Sequence, residues 1–172
     1  MTRQATNADT VILSLDISSG IAFGDSTTPN LADQTTEVGQ GHGVKYLDIN
    51  SAYLRHLRLK AEQAGGKPLS RVVMGRPVFF VDDDPVRDAA AQASLEAAAR
   101  SVGFEEVAFQ FEPIAAAFDH EQHVATEQTV LVADIGGGTS DFSVVRVGPQ
   151  RAARLERRDD LLANHGVHIP GT

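Results

Sequence analysis

Two aspartates frame three consecutive glycines in Val132–Phe142, "VADIGGGTSDF": Asp134 precedes Gly136, Gly137 and Gly138, and Thr139 and Asp141 follow them. A third carboxylate, Glu112, lies upstream in "FQFEPIAAAFDHE", Phe109 to Glu121. Glycine presents its backbone N–H without a Cβ in the way, and successive N–H groups in a tight turn form a nest that suits phosphate. A carboxylate at the end of the preceding strand would face that nest. Asp134 is so placed and suits Mg²⁺, held through water because magnesium dehydrates reluctantly. Thr139 adds a hydroxyl and Asp141 a second carboxylate. Glu112 sits where a strand gives way to a helix opened by Pro113, a place from which a carboxylate can accept a proton from an attacking water. Each feature also has a plainer reading: a wide β-turn for the glycines, and a first-turn acid favoured by the helix dipole for Glu112.

The residues after the glycines narrow the choice. A dinucleotide fingerprint or P-loop needs a helix there, because the phosphate rests on its amino end. Here Ser143, Val145 and Val147 alternate with Phe142 and Val144, the period of a strand, and no Gly-Lys-Ser/Thr is present. The glycines therefore join two strands, Thr129 to Ile135 and the segment from Thr139. Gly148-Pro149 turns the chain again, and Ala152 to Glu156 reads as a third strand.

The elements upstream follow from the same periodicities. Leu47, Tyr53, Leu54, Leu57 and Ala61 predict an amphipathic helix ending at Gly65-Gly66. Arg71 to Gly75 reads as a strand. Asp84 is placed to cap a helix whose first position is Pro85, with Val86, Ala89, Ala90, Ala93 and Ala97 on one stripe and an end near Gly103. Glu106 to Phe111 is a further strand. Near the amino end, Val11 to Ile17 reads as a buried strand and Ser18 to Gly43 as loop; residues 1–44 stand apart from the cleaner pattern of 45–172.

Composition bounds the function classes. A formal charge of -8 argues against nucleic-acid or anionic-membrane binding, and the lack of cysteine removes disulfides, thiolate zinc sites and cysteine nucleophiles. No run approaches the roughly 18 apolar residues of a membrane span, so a cytoplasmic protein is expected. His120 with His123, and His165 with His168, read as solvated histidines, and Asp82-Asp83-Asp84 as the cap of the next helix. Arg151, Arg154, Arg157 and Arg158, beside Asp159 and Asp160, read as a solvated strand face.

Taken together, "VLVADIGGGTSDFSVVRV" resembles the second phosphate-binding hairpin of the actin-like ATPase superfamily. "FEPIAAAFDHE" resembles the strand-to-helix connection of the heat-shock protein 70 (Hsp70) chaperones within it, "VVMGRPVFF" the strand before these two, and "HGVHIPGT" a later glycine-containing segment. The Gly-Arg-Pro form and the Gly-Phe-Glu-Glu-Val-Ala-Phe-Gln-Phe-Glu-Pro run look most like its YegD-like branch. The resemblance covers about residues 46 to 172. It implies an α/β, ribonuclease H-like fold, here the end of a first lobe and the start of a second, and ATP binding and hydrolysis with Mg²⁺. Unfolded-protein clients or co-chaperones would be partners of a full-length protein, and neither nucleic acid nor membrane is implied.

Carried over from the family, Asp134 would organise the Mg²⁺ shell. Gly136, Gly137 and Gly138 would hold the terminal phosphates, Thr139 would sit beside the γ-phosphate, and Glu112 would stand near the attacking water. Pro77 matches a proline that relays nucleotide state in chaperone members. Departures from the pattern raise an alternative. The nearest match to the family's first phosphate hairpin, Asp16 to Gly20, lacks the glycine at the second position after the aspartate, the first lobe's lysine segment has no counterpart, and the chain stops at Thr172 before the adenosine-binding segment. The chain therefore reads as a fragment incomplete for catalysis by itself, and the alternative is a non-catalytic interaction domain that keeps the fold.

Overall fold

The computed structural model describes residues 10–13, 35–37, 41–81, 83–135, 139–154 and 156–168. Within them the chain is mixed α/β, and by contact it forms two units. Asp16 to Gly20, the nearest match to a first phosphate hairpin, lies outside the described residues.

The first unit holds β1 (Thr10–Leu13), β2 (Thr35–Glu37), β3 (Gly43–Lys45), α1 (Tyr46–Gly65), α2 (Pro85–Ser101) and most of β4 (Arg71–Arg76) and β5 (Glu106–Phe111). β1, β4 and β5 make one sheet in that order, with β1 parallel to β4, while β2 and β3 pair as a separate antiparallel ribbon. α1 ends as its sequence predicts. Gly66 takes the left-handed conformation that costs glycine nothing, and its N–H reaches the Glu62 carbonyl at 2.8 Å. Asp84 caps α2, its carboxylate accepting the Arg87 N–H at 3.0 Å with Pro85 at the first position.

The buried face of α2 differs from the expected stripe. Ala91, Leu95, Ala98 and Ala99 are buried, whereas Val86 is 79% exposed and Ala89, Ala90, Ala93 and Ala97 face outward. Alanine occupies so much of this helix that periodicity carries little information. The one large aliphatic near its middle, Leu95, sets the inward face, and its i−4, i+3 and i+4 neighbours follow it in. In α1, similarly, Leu54 is buried but Tyr53 is half exposed.

The second unit joins Gly75–Val78, the end of β5, α3 (Glu112–Glu121), β6 (Gln128–Ile135), β7 (Thr139–Val147) and β8 (Leu161–His168). β7 lies at the centre of an antiparallel sheet in the order β6-β7-β8. One face carries α3: Ile114 and Ala117 pack with Val145 and Val147, flanked by Phe111, Val130, Val132 and Leu161. Only alternate residues of β6 turn toward α3, leaving Leu131 67% and Ile135 72% exposed on the other face.

The third strand also differs. Residues 149–153 form a turn, anchored by the Arg151 and Ala152 N–H groups on the Gly148 carbonyl at 2.9 and 3.1 Å, and a short 3-10 turn at Arg158–Asp160 precedes β8. The described residues between Ala152 and Glu156 are therefore not in a strand as expected; the pairing with β7 starts at Leu161.

Candidate functional site at the glycine hairpin

The strand register decides which carboxylates meet. Asp134 on β6 is the direct partner of Asp141 on β7, one step from the glycines. Alternation places both on the face that Val130, Val132, Ser143 and Val145 share, which is the face under α3. Both are exposed, beyond the region the helix covers. Like charges directly opposite each other destabilise a sheet, so an acidic pair at the end of a hairpin suits a cation. Thr139 opens β7 as the partner of His168, whereas Gly136, Gly137 and Gly138 lie outside the described residues.

The third predicted group arrives by a different route. α3 begins at Glu112, directly after β5 ends, with Pro113 at the second helical position. Its far end is pinned to the base of the hairpin. The Glu121 carboxylate accepts the Gly148 N–H at 2.9 Å, and His120 Nε2 lies 3.4 Å from Gln128 Oε1. The helix packs on Val145 and Val147, beside Val130 and Val132, so α3, with Glu112 in its first turn, lies on the face of the sheet that also carries Asp134 and Asp141. Glu112, Asp134 and Asp141 thus share one side of one sheet, the first delivered by the helix and the other two by register.

Three features of this face were not foreseen. The Asn164 amide donates to the Ser143 hydroxyl at 2.9 Å, so the sheet turns from apolar at its base to polar toward its tip. Next along, Asp141 leans over Gly166: a Cβ there would lie 2.9 Å from Asp141 Oδ1. An isolated glycine inside a strand is the sequence signal for such an approach.

The third is at the base. Arg157 is not on a solvated face but only 3% exposed, and Asp160 is fully buried. The Arg157 guanidinium grips Glu121 with two bonds of 2.7 and 2.8 Å and donates Nε to Asp160 at 2.8 Å. Arg151 donates to the other Asp160 oxygen and to Glu127, both at 2.9 Å. Burial by itself lowers the Arg157 pKa, but the bonds to Glu121 and Asp160 outweigh it and hold the value above the ordinary arginine range. Arg151 and Arg157 are therefore internal cement, paired with acids from three separate segments, whereas Arg154 and Arg158 are exposed as expected. The expected solvated histidines fit better: His120 and His123 are exposed, with His123 Nδ1 2.7 Å from the Asp119 carbonyl. Among the described residues no cluster of three or more His, Asp or Glu could hold a metal by protein ligands alone, and no helix is long and apolar enough to cross a membrane.

Comparison with known proteins fits this geometry. Residues 25–151 match the family model described as Hsp70 protein. The chain is 35% identical over 107 residues to a chaperone protein HscA homolog of Pseudoalteromonas atlantica, 32% over 136 residues to one of Tolumonas auensis, and 38% over 106 residues to one of Azoarcus sp.. These alignments take in 62%, 74% and 61% of this chain but only 16%, 21% and 16% of the relatives, so the chain spans about a fifth or less of their length. Both the carboxylate hairpin and the helix that delivers Glu112 fall wholly inside the matched residues. The chain belongs to the Hsp70 family, and its fold is that of part of an actin-like ATPase domain.

Proposed function

We propose that this chain supplies part of a nucleotide site of a chaperone ATPase, binding the terminal phosphates of ATP with Mg²⁺ at the β6–β7 hairpin. The observation that carries this reading is the direct pairing of Asp134 with Asp141 near the glycines, on the face that α3 covers. Magnesium usually takes one or two carboxylates and leaves its remaining positions to water and phosphate, and an exposed pair of aspartates suits that habit. Bound there, the ion would neutralise charge on the phosphates. Asp134 holds the ion's water shell from β6, with Asp141 opposite. Gly136, Gly137 and Gly138 offer backbone N–H groups to the terminal phosphates, and Thr139 a hydroxyl. Glu112 orients the attacking water and takes its proton. Such a site works by positioning and electrostatics, and little covalent chemistry falls to the protein.

Titration calorimetry with ATP, with and without Mg²⁺, tests binding, and Glu112→Ala tests the division of labour. That substitution should slow hydrolysis far more than it weakens binding; unchanged turnover would remove Glu112 from its role. A second reading, a non-catalytic interaction domain that keeps the fold, draws on Ser18, which stands where the family's first phosphate hairpin has a glycine. Micromolar Mg-ATP binding with measurable hydrolysis would eliminate it.

The Gly75-Arg76-Pro77 form and the run from Gly103 to Pro113 favour the YegD-like branch. A division near residue 45, a cytoplasmic location, and unfolded-protein clients or co-chaperones for a longer protein belong to the same reading.

A further inference from the structure

The contacts that hold α3 on its sheet differ in kind along its length. Ile114 and Ala117 pack on valines, and such apolar contact is non-directional, leaving a helix free to slide or tilt. At the other end the contacts are directional. Glu121 receives both prongs of the Arg157 fork and the Gly148 N–H, so every oxygen of its carboxylate is fixed. Arg157 is fixed in turn. Its Nε is held by Asp160, Nη2 also reaches the Arg146 carbonyl at 3.3 Å, and the Phe118 ring lies 6.0 Å from the guanidinium carbon. Arg151 ties Asp160 to Glu127, which precedes β6. One buried arginine therefore couples the last turn of α3 to the connection into β8 and to the base of β6 and β7.

We infer that Arg157 is a positioning residue for Glu112: by clamping the last turn of α3 to the hairpin base, it sets where the first turn stands over the hairpin tip. This rests on the ATPase reading proposed above. A helix of this length measures about 15 Å. A tilt of about 5–10° at the clamp would then move the first turn by about 1–3 Å, and a misplacement of about 1 Å can cost a hundredfold in rate. Stability alone is a weak reason for such a cluster. A buried ion pair often contributes no more than apolar residues of the same volume, whereas its directionality fixes one arrangement.

The test uses Arg157→Lys, which keeps the charge and loses the fork, and Glu121→Gln, which keeps the shape and loses the charge. The chain has no cysteine, so spin labels can be attached uniquely at Ala116→Cys on α3 and Ala133→Cys on β6, both exposed positions. Pulsed electron resonance then reads the helix-to-hairpin distance, and single-turnover hydrolysis with Mg-ATP titration reads rate and affinity separately. The expected result is a broadened or shifted distance in both variants, with hydrolysis slowed at least tenfold and Mg-ATP affinity changed less than twofold. An unchanged distance in Glu121→Gln overturns the inference, as does a parallel loss of rate and affinity. Should Arg157→Lys fail to fold, Glu121→Gln decides alone. If the parent chain by itself does not turn over ATP, the distance alone decides whether the clamp fixes α3.

Discussion

Replacing Asp134 by asparagine should move stability and ligand response in opposite directions. The substitution keeps the shape and removes one of two carboxylates that face each other across β6 and β7. Asp141 leans away over Gly166, on the β8 side, which lengthens the separation. At about 6 Å in water, two unit charges repel by about 0.7 kcal/mol. Physiological salt, with a Debye length of about 8 Å, roughly halves that. Without divalent cation, Asp134→Asn should therefore be more stable than the parent by about 0.3–0.7 kcal/mol, seen as a higher urea midpoint with an unchanged slope. The gain should vanish in 1 M salt. With Mg-ATP at a hundred times its dissociation constant, the parent should gain about 2.7 kcal/mol by mass action, and the variant should lose most of that gain. The reasoning fails if Asp134→Asn is destabilised in the absence of ligand, or if it responds to Mg-ATP as the parent does.

Other positions give independent checks. A Cβ at Gly148 would lie 2.9 Å from the Glu127 Cα, a backbone atom that cannot easily give way, so Gly148→Ala should cost about 1–3 kcal/mol in urea melts. Asp84→Ala removes the cap of α2 and should cost about 1 kcal/mol, with loss of amide-exchange protection confined to the first turn. The Glu62 pKa is lowered, chiefly because its carboxylate accepts the Leu69 N–H, against desolvation that raises it, and further by Arg58. A folded-state value below the unfolded one means that this contribution is complete above the ordinary glutamate value of about 4.3 and fades as pH falls through the lowered value. Glu62→Gln should accordingly flatten the acid limb of stability against pH, and a limb unchanged from the parent would count against the Leu69 contact.

What the sequence determined by itself was local or pattern-bound. Alternation after the glycines made β7 a strand and excluded a helix-based phosphate loop; Asp84-Pro85 and Gly65-Gly66 marked helix ends because capping is a matter of a few neighbouring atoms. Where residues are chemically alike the pattern went silent. The alanines of α2 are nearly equivalent, so its inward face was set by what Leu95 packs on and not by periodicity. The tertiary structure alone decided three further things. Register made Asp134 and Asp141 opposite partners, because pairing depends on which residue of β7 meets which of β6. Packing laid α3, which begins at Glu112, on the same face of that sheet. Burial converted Arg157, Glu121 and Asp160, scattered along the chain and outwardly like any surface charges, into one clamp. Charge is legible in a sequence, but whether water surrounds it depends on the folded chain, and that difference separates a solvated arginine from one that holds a helix in place.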